Sequence, residues 1–304
     1  MTKKFSLTSE ELKSFREKGY AGPFDLYERN EILAKYKKIR AALFNRENAV
    51  YDLDNRSLIA GYDRHFDVDE LTQHIVRHEI VDKISSILGP DLICWRSEMF
   101  PKYPGDEGTD WHQADTFAHA SGKPQVVWPM ESGFGGAVTV WTALTDVTEE
   151  NGCLRFIPGT HEEMVYDESL EMKYSPETVN SMEKDGIKRG FFGYDYRNLQ
   201  KDKDFVPNED DAVSIEMNAG QFVIFWSTLM HSSLPNITEN QTRMAVTTRY
   251  VPSSVKIYPD SDYIDEYGSK ISLNKYGVVV VAGENKEPSN RVVTHNLKGT
   301  PFTA

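Results

Sequence analysis

The hydrophobic pattern changes period at Gly89-Pro90, and this change limits the possible fold more than any other feature of the chain. Before it, apolar residues recur at helical spacing. Thr8 and Glu11 form a capping-box pair ahead of Leu12 and Phe15, with Gly19 as the stop. A second helix is expected over residues 28–43. A third is expected over about 67–88, with Leu71, Ile75, Ile80, Ile84 and Leu88 along one face. After Gly89-Pro90, short apolar runs alternate with tight turns. Residues 136–147 read as a buried strand. Asn151-Gly152 reads as a turn into a strand over 153–157, with Pro158-Gly159-Thr160-His161 closing that hairpin. Further strands are expected at 212–217 and 221–226, around Asn218-Ala219-Gly220, and at 244–251. Helices first and many short strands after point to a mainly β architecture. The expected form is a double-sheet jelly roll, a cupin-like double-stranded β-helix, with a helical flank.

The 304 residues are expected to form a single domain, with the flank over about 1–90 and the core over about 91–304. Between about 162 and 209 the sequence turns charged and irregular, and it contains the aromatic cluster Gly190-Phe191-Phe192-Gly193-Tyr194-Asp195-Tyr196. A long excursion inside a strand-rich core reads as a lid. The net charge of −13 argues against nucleic acid and anionic membrane as partners. No apolar run reaches the roughly 18 residues a membrane span needs. Lys3-Lys4 is not followed by an apolar stretch, so no signal peptide is expected, and the expected location is cytoplasmic. Cys94 and Cys153 form no CxxC pattern and are expected as small core residues in a reducing compartment.

Three segments carry the chemistry. They are Asp110-Trp111-His112-Gln113-Ala114-Asp115-Thr116-Phe117, then Trp226-Ser227-Thr228-Leu229-Met230-His231, then Arg243 to Arg249. His74 and His78, four apart, read as a solvated helix face. Non-haem Fe(II) oxygenases hold iron with two histidines and one carboxylate. The usual layout is His-x-Asp/Glu on one strand, a distant His on another, and a later arginine for the far carboxylate of 2-oxoglutarate. His112, His231 and Arg243 keep this layout, but the carboxylate position is Ala114. A metal there lacks one anionic ligand, and a methyl group leaves space beside it. A chloride ion would restore both charge and coordination number. Asp110, on the strand face of His112, and Asp115, on the opposite face, are rival ligands, and a dead site is a third reading.

The chain resembles the 2-oxoglutarate-dependent halogenases of nonribosomal peptide pathways, within the phytanoyl-CoA dioxygenase-like superfamily. The resemblance runs over nearly the whole sequence. It is dense at Phe100 to Thr109, Trp111 to Phe117, Ser121 to Gln125, Asn151 to Leu154, Arg189 to Arg197, Phe225 to His231 and Arg249 to Ser253. It implies His112 and His231 as iron ligands and Ala114 beside a halide. It implies Thr109, Trp141 and Arg243 around the far carboxylate of 2-oxoglutarate, and Glu98, Thr139 and Arg249 around chloride. Phe192 and Tyr267 match positions on the substrate side. His119 departs from the pattern, standing near the halide where the family has asparagine. Histidine can donate one hydrogen bond there, but it is bulkier and titrates.

The activity implied is chlorination of an unactivated aliphatic carbon, with Fe(II), 2-oxoglutarate, O₂ and chloride. The substrate implied is an aminoacyl group (threonine, 2-aminobutyrate, leucine or isoleucine) carried by a peptidyl carrier protein. Two alternatives stay open: a hydroxylase of the same superfamily, and a non-catalytic 2-oxoglutarate-binding protein.

Overall fold

A computed structural model describes residues 4–51, 58–118, 121–132, 136–179, 183–184 and 187–303. The flank begins with the Ser9–Lys18 helix, capped reciprocally by Thr8 and Glu11. It stops at Gly19, whose φ of +83° suits a left-handed cap, and buried Phe15 packs on Trp226 at 5.3 Å between ring centres. The second helix spans Arg29–Phe44.

The third expected helix is two helices, Asp69–His74 and His78–Leu88. The apolar spacing already breaks there, because Ile75 and Ile80 are five apart rather than three or four. At the break the Tyr250 hydroxyl donates to the Ile75 carbonyl at 2.9 Å, and the Arg77 guanidinium sits over the Tyr27 ring at 4.5 Å. His74 is buried, 2.9 Å from the Tyr27 hydroxyl, and burial lowers its pKa to about 3. Only His78 is exposed, so the two do not form a solvated face.

Two six-stranded sheets stack behind this flank. The first runs Tyr20–Asp25, Gln221–Trp226, Val138–Ala143, Arg243–Pro252, Leu92–Lys102, Val279–Ala282, with every neighbour antiparallel. The second runs Glu183–Lys184, Ile187–Gly190, Gly108–His112, His231–Ser233, Leu154–Phe156, Val213–Ile215. Within it, Gly108–His112 and Ile187–Gly190 are parallel.

The expected strand over 136–147 is Val138–Ala143, and every residue in it is buried. Val138 and Val140 face the core against the helices, while Trp141 and Ala143 pack between the sheets with Val223, Phe225, Leu154 and Phe156. The strand after Asn151-Gly152 does not fold back on Val138–Ala143 as a hairpin. The chain crosses to the other sheet there, as it does again at Asn218-Ala219-Gly220, so each turn is a corner of the jelly roll. Cys94 and Cys153 are free and buried. Among the described residues no helix is long and apolar enough to cross a membrane.

Candidate active site

The two strands bearing the candidate ligands are neighbours. His231 is the register partner of His112, and their ring centres lie 4.0 Å apart. His112 Nδ1 lies 2.8 Å from the Asp110 carbonyl oxygen, and His231 Nδ1 lies 2.7 Å from that of Leu229. A carbonyl oxygen only accepts, so each Nδ1 carries the hydrogen and each Nε2 keeps its lone pair. Burial lowers the His231 pKa to about 4, with Arg249 adding to the effect against the hydrogen bond to Leu229. The imidazole is therefore neutral at physiological pH. Two rings whose Nδ1–H is held by backbone, side by side, form a donor pair for one transition-metal ion.

The first of these strands ends at His112, so strict alternation stops before Ala114. The Ala114 N–H donates to the Ser227 carbonyl at 2.9 Å, and buried Ala114 lines the same cavity as both histidines. Asp110 does not: its side chain opens on a separate groove with Tyr166 and Arg197. Asp115 has the Trp128 indole beside its carboxyl, and burial raises its pKa. Neither carboxylate lines the histidine cavity. Among the described residues, no group of three His, Cys, Asp or Glu side chains gathers to hold a metal.

Arg243 borders the cavity at 3% exposure. Its Nη1 donates to the Phe100 carbonyl at 3.1 Å, its guanidinium lies over the Trp141 ring at 5.3 Å, and its Nε has no partner among the described residues. Burial lowers its pKa to about 10, so it remains charged at neutral pH. A buried guanidinium with an unused N–H needs an anion. Thr109 and Trp141 line the cavity beside it. A small acid held at the metal by one end and by Arg243 at the other fits these groups.

Glu98, Thr139 and Arg249 also line the cavity. Arg249 forms an ion pair with Glu98, which lies 3.7 Å from Arg96, and its guanidinium stacks over Phe117 at 5.1 Å. Thr139 is the register partner of Arg249. His119 lies outside the described residues.

Phe192 and Tyr267 complete the wall. Each has a φ of +49°, and Phe117, also on the cavity, has +56°. Left-handed backbone at bulky residues is strained, and such strain collects at functional sites. The Tyr267 N–H donates to the Tyr194 hydroxyl at 2.6 Å, and its own hydroxyl lies 2.9 Å from that of Tyr62. The excursion's aromatic cluster packs directly on the ligand pair, with Phe191 4.3 Å and Tyr196 5.5 Å from the His112 ring centre.

Sequence reasoning missed Lys102, Tyr62 and Phe100, which all line the cavity. Lys102 and Phe100 lie on the Leu92–Lys102 strand, whose charges between apolar residues mask it as a strand in the sequence. Glu168 was also missed, since it sits in a charged stretch that reads as solvated surface. Its buried Oε2 accepts from the N–H groups of Asp115 and Thr116, at 2.9 and 2.7 Å, and so holds the loop after Ala114.

The family model for phytanoyl-CoA dioxygenase (PhyH) matches residues 15–245. A phytanoyl-CoA dioxygenase domain-containing protein 1 homolog from Dictyostelium discoideum is 27% identical over 160 residues, covering 50% of this chain. The match takes in 44% of that relative's length, so the chain spans under half of it. Among solved structures, one described as CytC3 with Fe(II) and alpha-ketoglutarate is 39% identical. That match covers 98% of each chain with a TM-score of 0.76. The non-heme monooxygenase ThoJ shares the fold at 18% identity and a TM-score of 0.65, covering 96% of this chain and 90% of its own.

Proposed function

The chain belongs to the phytanoyl-CoA dioxygenase family, and from that membership we propose that it is an Fe(II)- and 2-oxoglutarate-dependent halogenase. Its substrate would be an aliphatic aminoacyl group delivered on a carrier protein. One observation carries the reading. The position that supplies an acidic ligand in the usual two-histidine, one-carboxylate site is Ala114, while neither Asp110 nor Asp115 lines the cavity.

When bound, iron and 2-oxoglutarate supply the O₂-dependent oxidising chemistry that activates an aliphatic C–H bond. The chain's own residues do the rest. His112 and His231 offer Nε2 lone pairs already set by their Nδ1–H bonds to backbone. Arg243 takes the far carboxylate and so orients the co-substrate, with Thr109 and Trp141 beside it. The Ala114 methyl leaves room for a chloride, and Glu98, Thr139 and Arg249 border that space. Glu98 keeps the Arg249 charge in place by their ion pair.

Chlorine transfer outruns hydroxyl transfer only where the reacting carbon is held nearer the halide, so selectivity is a matter of positioning. Phe192 and Tyr267 form the substrate-side wall and the excursion acts as the lid. A tethered substrate suits such a wall, because the carrier arm limits how deeply the carbon can enter. The test is to load candidate amino acids on a carrier protein, supply iron, 2-oxoglutarate and O₂, and weigh the product with and without chloride. Chlorine's isotope pattern, seen only with chloride, is the expected result. A hydroxylated product whose yield ignores chloride would replace halogenase with hydroxylase.

A further inference from the structure

Lys102 closes the Leu92–Lys102 strand and lines the same cavity as Arg243, yet it is 5% exposed. Its ammonium nitrogen donates to the Glu107 carbonyl at 2.8 Å, Ser233 Oγ at 2.9 Å and the Leu234 carbonyl at 2.8 Å. All three partners are neutral: two carbonyl oxygens and a hydroxyl. The acceptors come from two places. Glu107 enters the strand of Thr109 and His112, while Ser233 and Leu234 follow His231. Gly152 makes room for the lysine stem, since a Cβ there would stand 2.4 Å from Lys102 Cδ.

We propose that Lys102 is a positioning residue for the co-substrate. It ties the two histidine-bearing strands together at their far end and adds a second cation beside Arg243 for a bound dicarboxylate's far carboxylate. The proposal rests on the reading that 2-oxoglutarate occupies this cavity.

Lys102 and Arg243 are register partners on adjoining strands, and two buried cations so placed repel each other. Burial first, then Arg243, pushes the Lys102 pKa well below the ordinary lysine value, while Asp106, Cys153 and Glu107 oppose the shift. An incoming carboxylate reverses the balance and favours the ammonium. The Ser233 hydroxyl accommodates both states, accepting from an ammonium or donating to a neutral amine. Binding of 2-oxoglutarate therefore raises the Lys102 pKa, with proton uptake at pH values where the unliganded side chain is neutral.

The experiment is anaerobic calorimetry of 2-oxoglutarate binding to the iron-loaded protein, in buffers of different ionisation enthalpy. Across a pH series, the wild type should take up protons in the range where unliganded Lys102 is neutral. Lys102→Met should take up none and, measured on iron-saturated protein, bind 2-oxoglutarate about tenfold more weakly or worse. Lys102→Gln keeps hydrogen-bond donors without the charge, and it should also lose the proton uptake. If Lys102→Met does not fold, the wild-type proton count and the Gln variant still decide. The proposal is overturned if the wild type takes up no proton at any pH in the series, if the variants take up as much, or if they bind within about twofold of wild type. A wild type that binds iron but no 2-oxoglutarate overturns the cavity reading itself, a different failure.

Discussion

His112 and His231 are register partners on adjoining strands, and each donates its Nδ1–H to the carbonyl two residues before it. This shared geometry means neither ring can present its Nδ1 to the cavity, and both must offer Nε2. His112→Ala or His231→Ala should lower Fe(II) affinity by about a hundredfold or more, because one donor of a pair is lost outright. Anaerobic titration with Fe(II), followed by metal analysis, checks it. Retained tight binding in either variant would move the metal site elsewhere.

Ala114→Asp puts a carboxylate on the cavity wall shared with both histidines. The variant should bind Fe(II) at least as well as wild type, since it gains an anionic ligand, and should lose chlorination entirely. Product mass with ³⁵Cl and ³⁷Cl chloride reads the outcome. Continued chlorination by this variant would remove the halide from that position.

Glu168 gives a pH signature. Burial raises its pKa from an ordinary 4.5 to about 7, with Asp115 adding to the rise, against hydrogen bonds from the Asp115 and Thr116 N–H groups and the Thr116 hydroxyl. In the folded state it stays protonated at a pH where the unfolded chain has released the proton, so folding binds protons between about 4.5 and 7. Its contribution to stability is complete below that window and declines as pH rises through it. The loss is about 3 kcal/mol. Glu168→Gln should therefore gain on wild type in melting temperature as pH is raised from about 5 to 8. Parallel melting curves for the two proteins across that range would show that the carboxyl stays charged throughout.

The sequence carried the architecture and the ligand pair unevenly. The capping box at Thr8 and Glu11 was readable because a helix start is a local chemical pattern. The buried Val138–Ala143 strand was readable because both its faces are covered, which leaves a continuous apolar run. The two corners were not readable as corners. Asn151-Gly152 signals a turn, but which sheet receives the next strand depends on long-range pairing with His231–Ser233. Ala114 was noticed by its spacing from His112. What keeps Asp110 and Asp115 off the cavity was not local: a register shift against the His231 strand between Thr109 and His112, and the Trp128 indole, decide it. Lys102 and Glu168 escaped for one reason, which is that a charged residue in sequence looks solvated until its buried partners are known.

Gly152 offers a test of the corner that is independent of activity. Its φ of +95° lies where side chains other than glycine's are strained. A Cβ there would also stand 2.4 Å from Lys102 Cδ and 2.8 Å from the Leu234 carbonyl oxygen. The lysine stem could shift, but the carbonyl is backbone in the segment after His231 and accepts from Lys102. Both strain and collision therefore act on the same spot. Gly152→Ala should lower stability by about 2 kcal/mol or more, measured by chemical denaturation. Because Leu234 follows the His231 strand, the damage should also reach the metal pair as weaker Fe(II) binding. A variant with wild-type stability and iron affinity would mean that Lys102 and Leu234 yield freely, and that this corner does not hold the histidine strand in register.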